Sequence, residues 1–260
     1  MPSSMTPKMG TVYEAYQQAT ITKVALQGLL VTLSMFSLSA CSNPESSPEP
    51  LTEENVRPSA NTNYKDPNLD VEMWAERFTG ESREVFAERL NVLTALKLEP
   101  GDRIADIGAG TGLYVKLFAE TVGTTGEVYA VDIAAPFLEF IAKNATSDNL
   151  TNVKTILGTD KSSNLPDASV DVVFHCDTYH HFEFPRTMVR DLSRILTKGG
   201  EMFVLDFERI EGVTRQGLLN HVRAGKEVVV AEVESSGFEL VEEIELPGLK
   251  ENYFLRFKKR

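Results

Sequence analysis

The sequence predicts an α/β protein: a Rossmann-like, seven-stranded, mostly parallel sheet with helices on both of its faces. Two observations lead to this prediction. From residue 103 onward, short apolar runs alternate with segments of helical periodicity, and such alternation builds a parallel sheet that is covered on both faces. The first of these strands also runs through a glycine turn directly into a helix, a connection that is typical of doubly wound sheets.

The composition fits one soluble domain with additional segments. The chain has 260 residues, of which 42% are hydrophobic and 25% charged, as in an ordinary globular protein. Its net charge of −12 argues against a nucleic-acid partner, because phosphate contacts need a basic face. The only cysteines are Cys41 and Cys176, so no disulfide framework is predicted.

Residues 1–41 are predicted to be a signal peptide. After Lys23, residues 24–38 form an apolar stretch of 15 residues, which is short of the roughly 20 that cross a membrane and fits a secretory signal. It ends in Leu38-Ser-Ala-Cys41, which resembles the bacterial lipoprotein signal. The resemblance implies a lipidated Cys41 in the cell envelope, and Ser42 implies the outer membrane, facing the periplasm. An uncleaved single-pass anchor is the alternative.

Residues 42–66 and 67–260 are predicted to be a tether and a folded domain. The first segment begins with a Pro/Ser/Glu-rich run that has almost nothing to bury, so a disordered tether is expected. The domain opens with a helical cap, residues 67–100, in which apolar residues recur at helical spacing over 71–78 and 86–96.

The other elements follow from the same periodicities. Strands are predicted at 103–107, 127–132, 153–157, 169–175, 201–206, 238–244 and 252–258. Helices are predicted at 111–122, 135–145, 185–196 and 218–236. The last two strands are expected to form an antiparallel pair, and the carboxyl ends of the parallel strands should hold any ligand.

The glycine turn is the most specific motif. It reads Asp106-Ile-Gly-Ala-Gly-Thr-Gly112, and glycine lets a backbone turn tightly and lie against a ligand. Leu113 stands where a dinucleotide site needs its third glycine. The second strand ends in Asp132, about 20 residues further on, where an acid can hold ribose hydroxyls. Asp106 itself would suit a cationic ligand group.

Together these residues resemble the first two motifs of class I methyltransferases that use S-adenosylmethionine (SAM). The resemblance implies that SAM is the cofactor. It also implies a seven-stranded sheet whose last strand is inserted antiparallel. The implied cofactor-binding residues in this sequence are Asp106, Gly108, Ala109, Gly110, Gly112, Asp132, Ile133, Asp160 and Asp177. Asp160 would lie near the adenine amine, although a solvated loop acid is equally expected, and another kind of nucleotide-binding domain remains the alternative.

The fourth strand leads into Tyr179-His-His181, which resembles the fourth-motif region of small-molecule methyltransferases. Histidine titrates near neutral pH, so His180 and His181 are the candidate base or substrate-orienting groups. Support of the loop is the alternative role.

A metal site is not predicted. His175, Cys176, Asp177, His180 and His181 lie within seven residues and are all possible ligands. However, they form no CxxC or HxxxH pair and straddle a strand end, where alternate side chains point apart. A zinc or iron site stays open as an alternative, while His221, further along, is expected to face solvent.

The sequence therefore predicts SAM-dependent methyl transfer to a small-molecule acceptor, by a domain tethered to a bacterial membrane. The alternative is an exported protein of the same fold that binds a nucleoside, metabolite or protein partner without catalysis, because SAM is made in the cytoplasm. The sequence predicts no nucleic-acid partner, and it contains no motif that sets an oligomeric state.

Overall fold

The computed structural model describes residues 53–80 and 83–260. The predicted signal peptide, Cys41 and the first part of the predicted tether lie outside the described residues. The strands are β1 (Arg103–Ile107), β2 (Glu127–Asp132), β3 (Val153–Leu157), β4 (Val170–Cys176), β5 (Leu196–Phe207), β6 (Phe238–Glu243) and β7 (Asn252–Lys259). The helices are α1 (Val71–Phe78), α2 (Glu84–Ala87), α3 (Arg89–Leu96), α4 (Val115–Val122), α5 (Ala135–Ser147), α6 (Pro185–Ile195), α7 (Gln216–His221) and α8 (Lys226–Glu234).

The seven strands form one sheet in the order β3-β2-β1-β4-β5-β7-β6. Strands β1 to β5 pair in parallel, and β7 lies antiparallel between β5 and β6. This confirms the predicted Rossmann-like fold and the inserted last strand. The strand order reverses between β1 and β4, so a crevice opens at the carboxyl ends of these two strands, where such sheets bind ligands.

Two apolar layers hold the helices against the sheet. Successive side chains of a strand point to opposite faces, so Ile104 packs into one cluster of buried residues and Ala105 into the other. Phe174 and Val173 of β4 divide in the same way. Both faces of the central strands are thus buried, which explains their nearly continuous apolar sequences.

Two predicted helices are broken in the structure. The helix predicted at 218–236 is divided into α7 and α8, because Val222 turns extended after α7 and Gly225 caps α8 in an extended conformation. The helical pattern over 86–96 is likewise divided between α2 and α3 at Glu88. Helical spacing of apolar residues does not reveal such breaks, since both halves keep an apolar face toward the core.

The helix predicted at 111–122 begins only at Val115. Gly112 has a φ of +85°, and its backbone N–H donates to the carbonyl of Ala109, so the turn continues beyond the last glycine. The strand predicted at 201–206 begins earlier, at Leu196, and pairs with β4 through an irregular register.

Residues 53–66, the second half of the predicted tether, pack against the domain instead; we call them the cover segment. Its Val56 backbone N–H donates to the carbonyl of Glu183 (2.9 Å), and Arg57 Nη1 donates to the carbonyl of His180 (2.7 Å). Asn61 is only 6% exposed. Apart from the Tyr64 ring, which packs on Trp74 and Phe137, the segment is held by polar contacts, and for this reason its composition indicates disorder.

Across residues 53–80 and 83–260, no helix combines the length and the hydrophobicity that crossing a membrane requires.

Candidate active site

A cavity lies at the carboxyl ends of β1, β2 and β4, and the cover segment and α1 line its other side. Its volume is about 1100 Å³ when the open solvent at its mouth is counted. Of the predicted site residues, the following line it: Asp106, Gly108, Ala109, Gly110, Asp132, Ile133, Asp160, Asp177 and His181.

The glycine turn forms the floor of the cavity. Gly108 has a φ of +72°, and a Cβ there would stand 2.3 Å from Thr178. A Cβ on Gly110 would lie 3.1 Å from the Phe78 ring. Gly112 does not line the cavity, contrary to the prediction, since it packs behind the turn where its Cβ would meet Ile141 at 2.9 Å.

Asp132 fixes the turn from the end of β2. Its Oδ2 accepts the backbone N–H of Gly110 and its Oδ1 that of Ala134, both at 2.8 Å. Burial raises the pKa of Asp132 to about 6, although these hydrogen bonds favour the charged form. The carboxylate thus holds the glycine turn in place while it faces the cavity beside Ile133.

Asp106, at the end of β1, is a buried acid without a partner. It is 3% exposed, and within the described part of the chain no hydrogen bond reaches its carboxylate. Burial and, second, the negative charge of Asp132 raise the pKa of Asp106 to about 8. A buried carboxylate is costly unless a positive group compensates it, so this wall of the cavity fits a cationic ligand.

Asp160 and Asp177 lie at the rim, where each is already paired. Asp160 accepts from Lys65 Nζ at 2.7 Å and from Asn61 Nδ2 at 3.3 Å. The side chain of Asp177 forms an ion pair with Arg83 and accepts from Asn252 Nδ2 at 2.6 Å. Burial raises the pKa of Asp177 to about 6. The two acids therefore fasten the N-terminal segments to the sheet.

The two candidate histidines occupy different positions relative to the cavity. His181 lines the cavity, with its ring edge-on to Tyr64 at a centroid distance of 5.3 Å. Burial, with the neighbouring charges of His180 and His221, lowers the pKa of His181 to about 3, so this ring is neutral at pH 7. The buried His180 does not line the cavity, and its Nδ1 lies 2.6 Å from Asp206 Oδ1. Only His181 is placed to touch a ligand in the cavity.

Two neighbouring residues on β4 are parts of the core. His175 is fully buried, and burial lowers its pKa to about 3. Burial raises the pKa of the Cys176 thiol well above its ordinary value, so this cysteine is a protonated lining group and not a reactive thiolate.

Sequence reasoning missed the aromatic wall of the cavity. Tyr64, Phe78 and Phe137 line it, and Trp74 packs behind them with its ring 5.2 Å from the rings of both Tyr64 and Phe78. Asn61 was also missed. The helical spacing of Trp74 and Phe78 in the predicted cap was the sequence signal for part of this wall, whereas Tyr64 stands alone in a polar stretch.

Comparisons with known proteins agree with this geometry. Residues 105–204 match a family model described as a methyltransferase domain. Over 129 residues the chain is 33% identical to the ubiquinone/menaquinone biosynthesis C-methyltransferase UbiE of Stenotrophomonas maltophilia, which is 47% of this chain and 49% of that protein. The chain thus spans about half the length of the curated relatives it matches.

Solved structures share the fold at low identity. A SAM-dependent methyltransferase from Aquifex aeolicus superposes with a TM-score of 0.65 at 22% identity, covering 75% of this chain and 99% of that one. The [4+2]-cyclase SpnF superposes with a TM-score of 0.57 at 16% identity, covering 66% and 80%.

Residues 105–204 therefore match a methyltransferase domain, the chain shares the fold of a SAM-dependent methyltransferase, and these comparisons imply SAM as the cofactor. The residues present fit that cofactor: an unpartnered buried acid at Asp106, a second acid at Asp132, and a glycine turn that a Cβ would obstruct.

Proposed function

We propose that the protein transfers a methyl group from SAM to a small-molecule acceptor, as a domain tethered to a bacterial membrane through a lipidated Cys41. One observation carries the catalytic part: the cavity brings the uncompensated carboxylate of Asp106 and the ribose-type acid Asp132 together around the glycine turn. SAM, when bound, supplies a methyl group on a cationic sulfur.

The residues that line the cavity bind the cofactor and orient the acceptor. Asp106 pairs with the cationic methionine end, and Asp132 accepts the ribose hydroxyls with the lone pairs that its backbone contacts leave free. The wall of Tyr64, Phe78 and Phe137 excludes water, and alignment in a dry site is the main requirement for this transfer. His181 is neutral and is placed to accept a proton or hydrogen bond from the acceptor.

Two observations support a small acceptor. The cover segment bounds one side of the cavity, where Asn61 donates to Asp160, and such a wall favours a small acceptor over a polymer. The relatives are named for ubiquinone/menaquinone biosynthesis, which is chemistry on small organic molecules. The acidic chain, at −12, also disfavours a nucleic acid.

The test begins with binding of SAM to the purified protein by calorimetry. Asp106→Asn removes a charge-assisted contact that is worth roughly 1.5–3 kcal/mol, so affinity should fall about 10- to 100-fold. The exposed Glu139→Gln on α5 is the matched control and should bind like the unaltered protein. A metabolite screen with methyl-labelled SAM then identifies the acceptor, and equal affinity for Asp106→Asn would contradict the assignment of the site.

A binding-only protein is the second candidate. The [4+2]-cyclase of the same fold illustrates that this fold does not fix the reaction, and an exported domain would lie apart from the cytoplasmic supply of SAM. SAM binding that depends on Asp106, together with no labelled product across the screen, would favour this candidate over methyl transfer.

A further inference from the structure

Three of the chain's four histidines meet beside the cavity. His180 and His181 lie on a 3-10 turn, Tyr179–His181, that follows β4, and His221 ends α7. Each offers one ring nitrogen, and these three atoms lie within 4.8 Å of one another. The ring centroids are 4.3 to 5.1 Å apart. Three imidazoles that converge from distant parts of a chain are a ligand set for zinc-type ions.

The His180 ring is oriented from behind by Asp206. The carboxylate Oδ1 lies 2.6 Å from His180 Nδ1, and its Oδ2 accepts the His180 backbone N–H at 2.9 Å. This arrangement places the ring proton on Nδ1 and leaves Nε2 pointing at His221 Nε2, 3.0 Å away. A carboxylate behind a histidine in this way is the usual second layer of a metal site, where it fixes the tautomer.

The His181 ring carries a buried polar atom that needs a partner. Its Nδ1 is buried and accepts or donates no hydrogen bond within the described part of the chain, a state that buried polar atoms rarely adopt.

We propose that His180, His181 and His221 bind a divalent transition-metal ion of the zinc type, with one coordination position open to the cavity that His181 lines. Tetrahedral zinc with Zn–N bonds of about 2.0–2.1 Å places its ligand nitrogens about 3.3 Å apart. The observed separations, from 3.0 Å up to 4.8 Å, bracket that value, so small rotations of the side chains complete the site.

The charged side chains near the three histidines have opposite effects on metal binding. Asp206 supplies a negative charge directly behind His180. Arg57 opposes a second cation, since it lies close enough to lower the pKa of both His181 and His221. Arg57 belongs to the cover segment, which it ties to the His180 carbonyl, so metal binding is expected to loosen that contact.

Three protein ligands with an open position are the pattern of catalytic zinc sites. An acceptor O–H or S–H group bound there would release its proton to water at neutral pH, so that with the metal bound His181 is a ligand and no longer the group that accepts this proton. The deprotonated oxygen or sulfur would then bond to the methyl carbon of SAM while the bond from that methyl to the SAM sulfur breaks, leaving a neutral thioether. This last step rests on the proposed function, whereas metal binding itself does not.

The experiment titrates the purified, chelator-treated full chain with Co²⁺, which reports tetrahedral coordination by its visible absorption. We expect a saturable tetrahedral spectrum and an affinity that falls at least about 100-fold in His221→Ala. Asp206→Asn should weaken binding about 10- to 100-fold through its effect on His180. His221→Cys keeps a ligand and should add a sulfur-to-cobalt charge-transfer band.

Asn220→Ala is the matched control, because Asn220 is the exposed neighbour of His221 on α7 and should leave the titration unchanged. Far-ultraviolet circular dichroism verifies that each variant is folded. A spectrum without tetrahedral bands, or equal cobalt affinity in His221→Ala, would overturn the proposal. The titration contains no SAM, so a chain that binds cobalt but transfers no methyl group would support the metal site and count against the proposed function alone.

Discussion

Above pH 6.5, the buried carboxylate of Asp106 is the group expected to dominate how the stability of the cofactor-free protein depends on pH, because Asp132 and Asp177 titrate at about 6. Asp106 has its pKa raised from 3.8 to about 8, so between these values the folded state holds a proton that the unfolded state has released. Stability must then fall as pH rises through this window. His181 and His221, whose pKa values are lowered from 6.5, make stability rise with pH only below 6.5.

We therefore expect the melting temperature of the cofactor-free protein to fall between pH 6.5 and pH 8. Asp106→Asn removes the titrating group, so its melting temperature should change much less over this range and should exceed that of the unaltered protein at pH 8. Thermal unfolding at a series of pH values measures this, with Glu139→Gln as control. Parallel pH profiles for Asp106→Asn and the unaltered protein would show that Asp106 is not the group responsible.

Replacement of two glycines by alanine is predicted to change the stability of the protein in opposite directions. Gly108→Ala forces a side chain into a backbone with a φ of +72° and against Thr178 at 2.3 Å, which should cost about 1–3 kcal/mol or more. Gly217→Ala on α7 meets nothing within 4 Å and should stabilise by roughly 0.4–1 kcal/mol. Urea unfolding of both variants checks the signs, and a neutral Gly108→Ala would exclude strain as the reason for that glycine.

At the scale of the elements, the cover segment is where the amino-acid composition is misleading: it predicts disorder, whereas the segment packs against the domain. Polar residues of this segment form hydrogen bonds with residues that are distant in the sequence. Asn61 donates to Asp160 and to the carbonyl of His181, and Lys65 donates to Asp160. These partners are 95 residues or more away along the chain, so no local sequence pattern can predict the contacts. The glycine turn, by contrast, is determined locally, and Gly108, Gly110 and Asp132, which the sequence predicts to bind the cofactor, all line the cavity.

Contacts between residues that are distant in the sequence also determine where the histidines lie. The Tyr179–His181 turn was recognised as a candidate site, but the sequence could not show that the Asp206 carboxylate holds the His180 ring outside the cavity lining. His221 was expected to face solvent within one long helix, and it is exposed at the end of the shorter α7. Its contact with His180, across 41 residues of chain, is defined only by the tertiary structure.

Loss of a cover-segment contact should expose the segment to proteolysis. Asn61→Ala removes two hydrogen bonds, each worth about 1 kcal/mol, so trypsin cleavage after Lys65 should accelerate about 30-fold as local opening becomes more frequent. Thr62→Ala is the control, since its hydroxyl bonds only within the segment, to the Ser59 carbonyl. Equal cleavage rates in the two variants, measured by mass spectrometry of the fragments, would argue that the segment is held by other contacts.

For the whole molecule, the open question is where the site is located in the cell. The Leu38-Ser-Ala-Cys41 motif predicts a lipid anchor, and the chain provides its own control, because Cys176 is the only other cysteine and is a core group. We expect Cys41→Ala to move the protein from the membrane to the soluble fraction and Cys176→Ala to leave it in the membrane. Mass spectrometry of the mature N-terminus provides the direct measurement, and an unmodified initiator Met would contradict the lipoprotein prediction.

The inserted last strand has a consequence for how the protein is made. Within the described sheet, β6 hydrogen-bonds only to β7, which follows it along the chain and also pairs with β5. One edge of β5 and the whole of β6 therefore remain unpaired until β7 has been synthesised. A nascent chain with this topology cannot complete its sheet strand by strand, and its two open edges can close only together when β7 inserts between them.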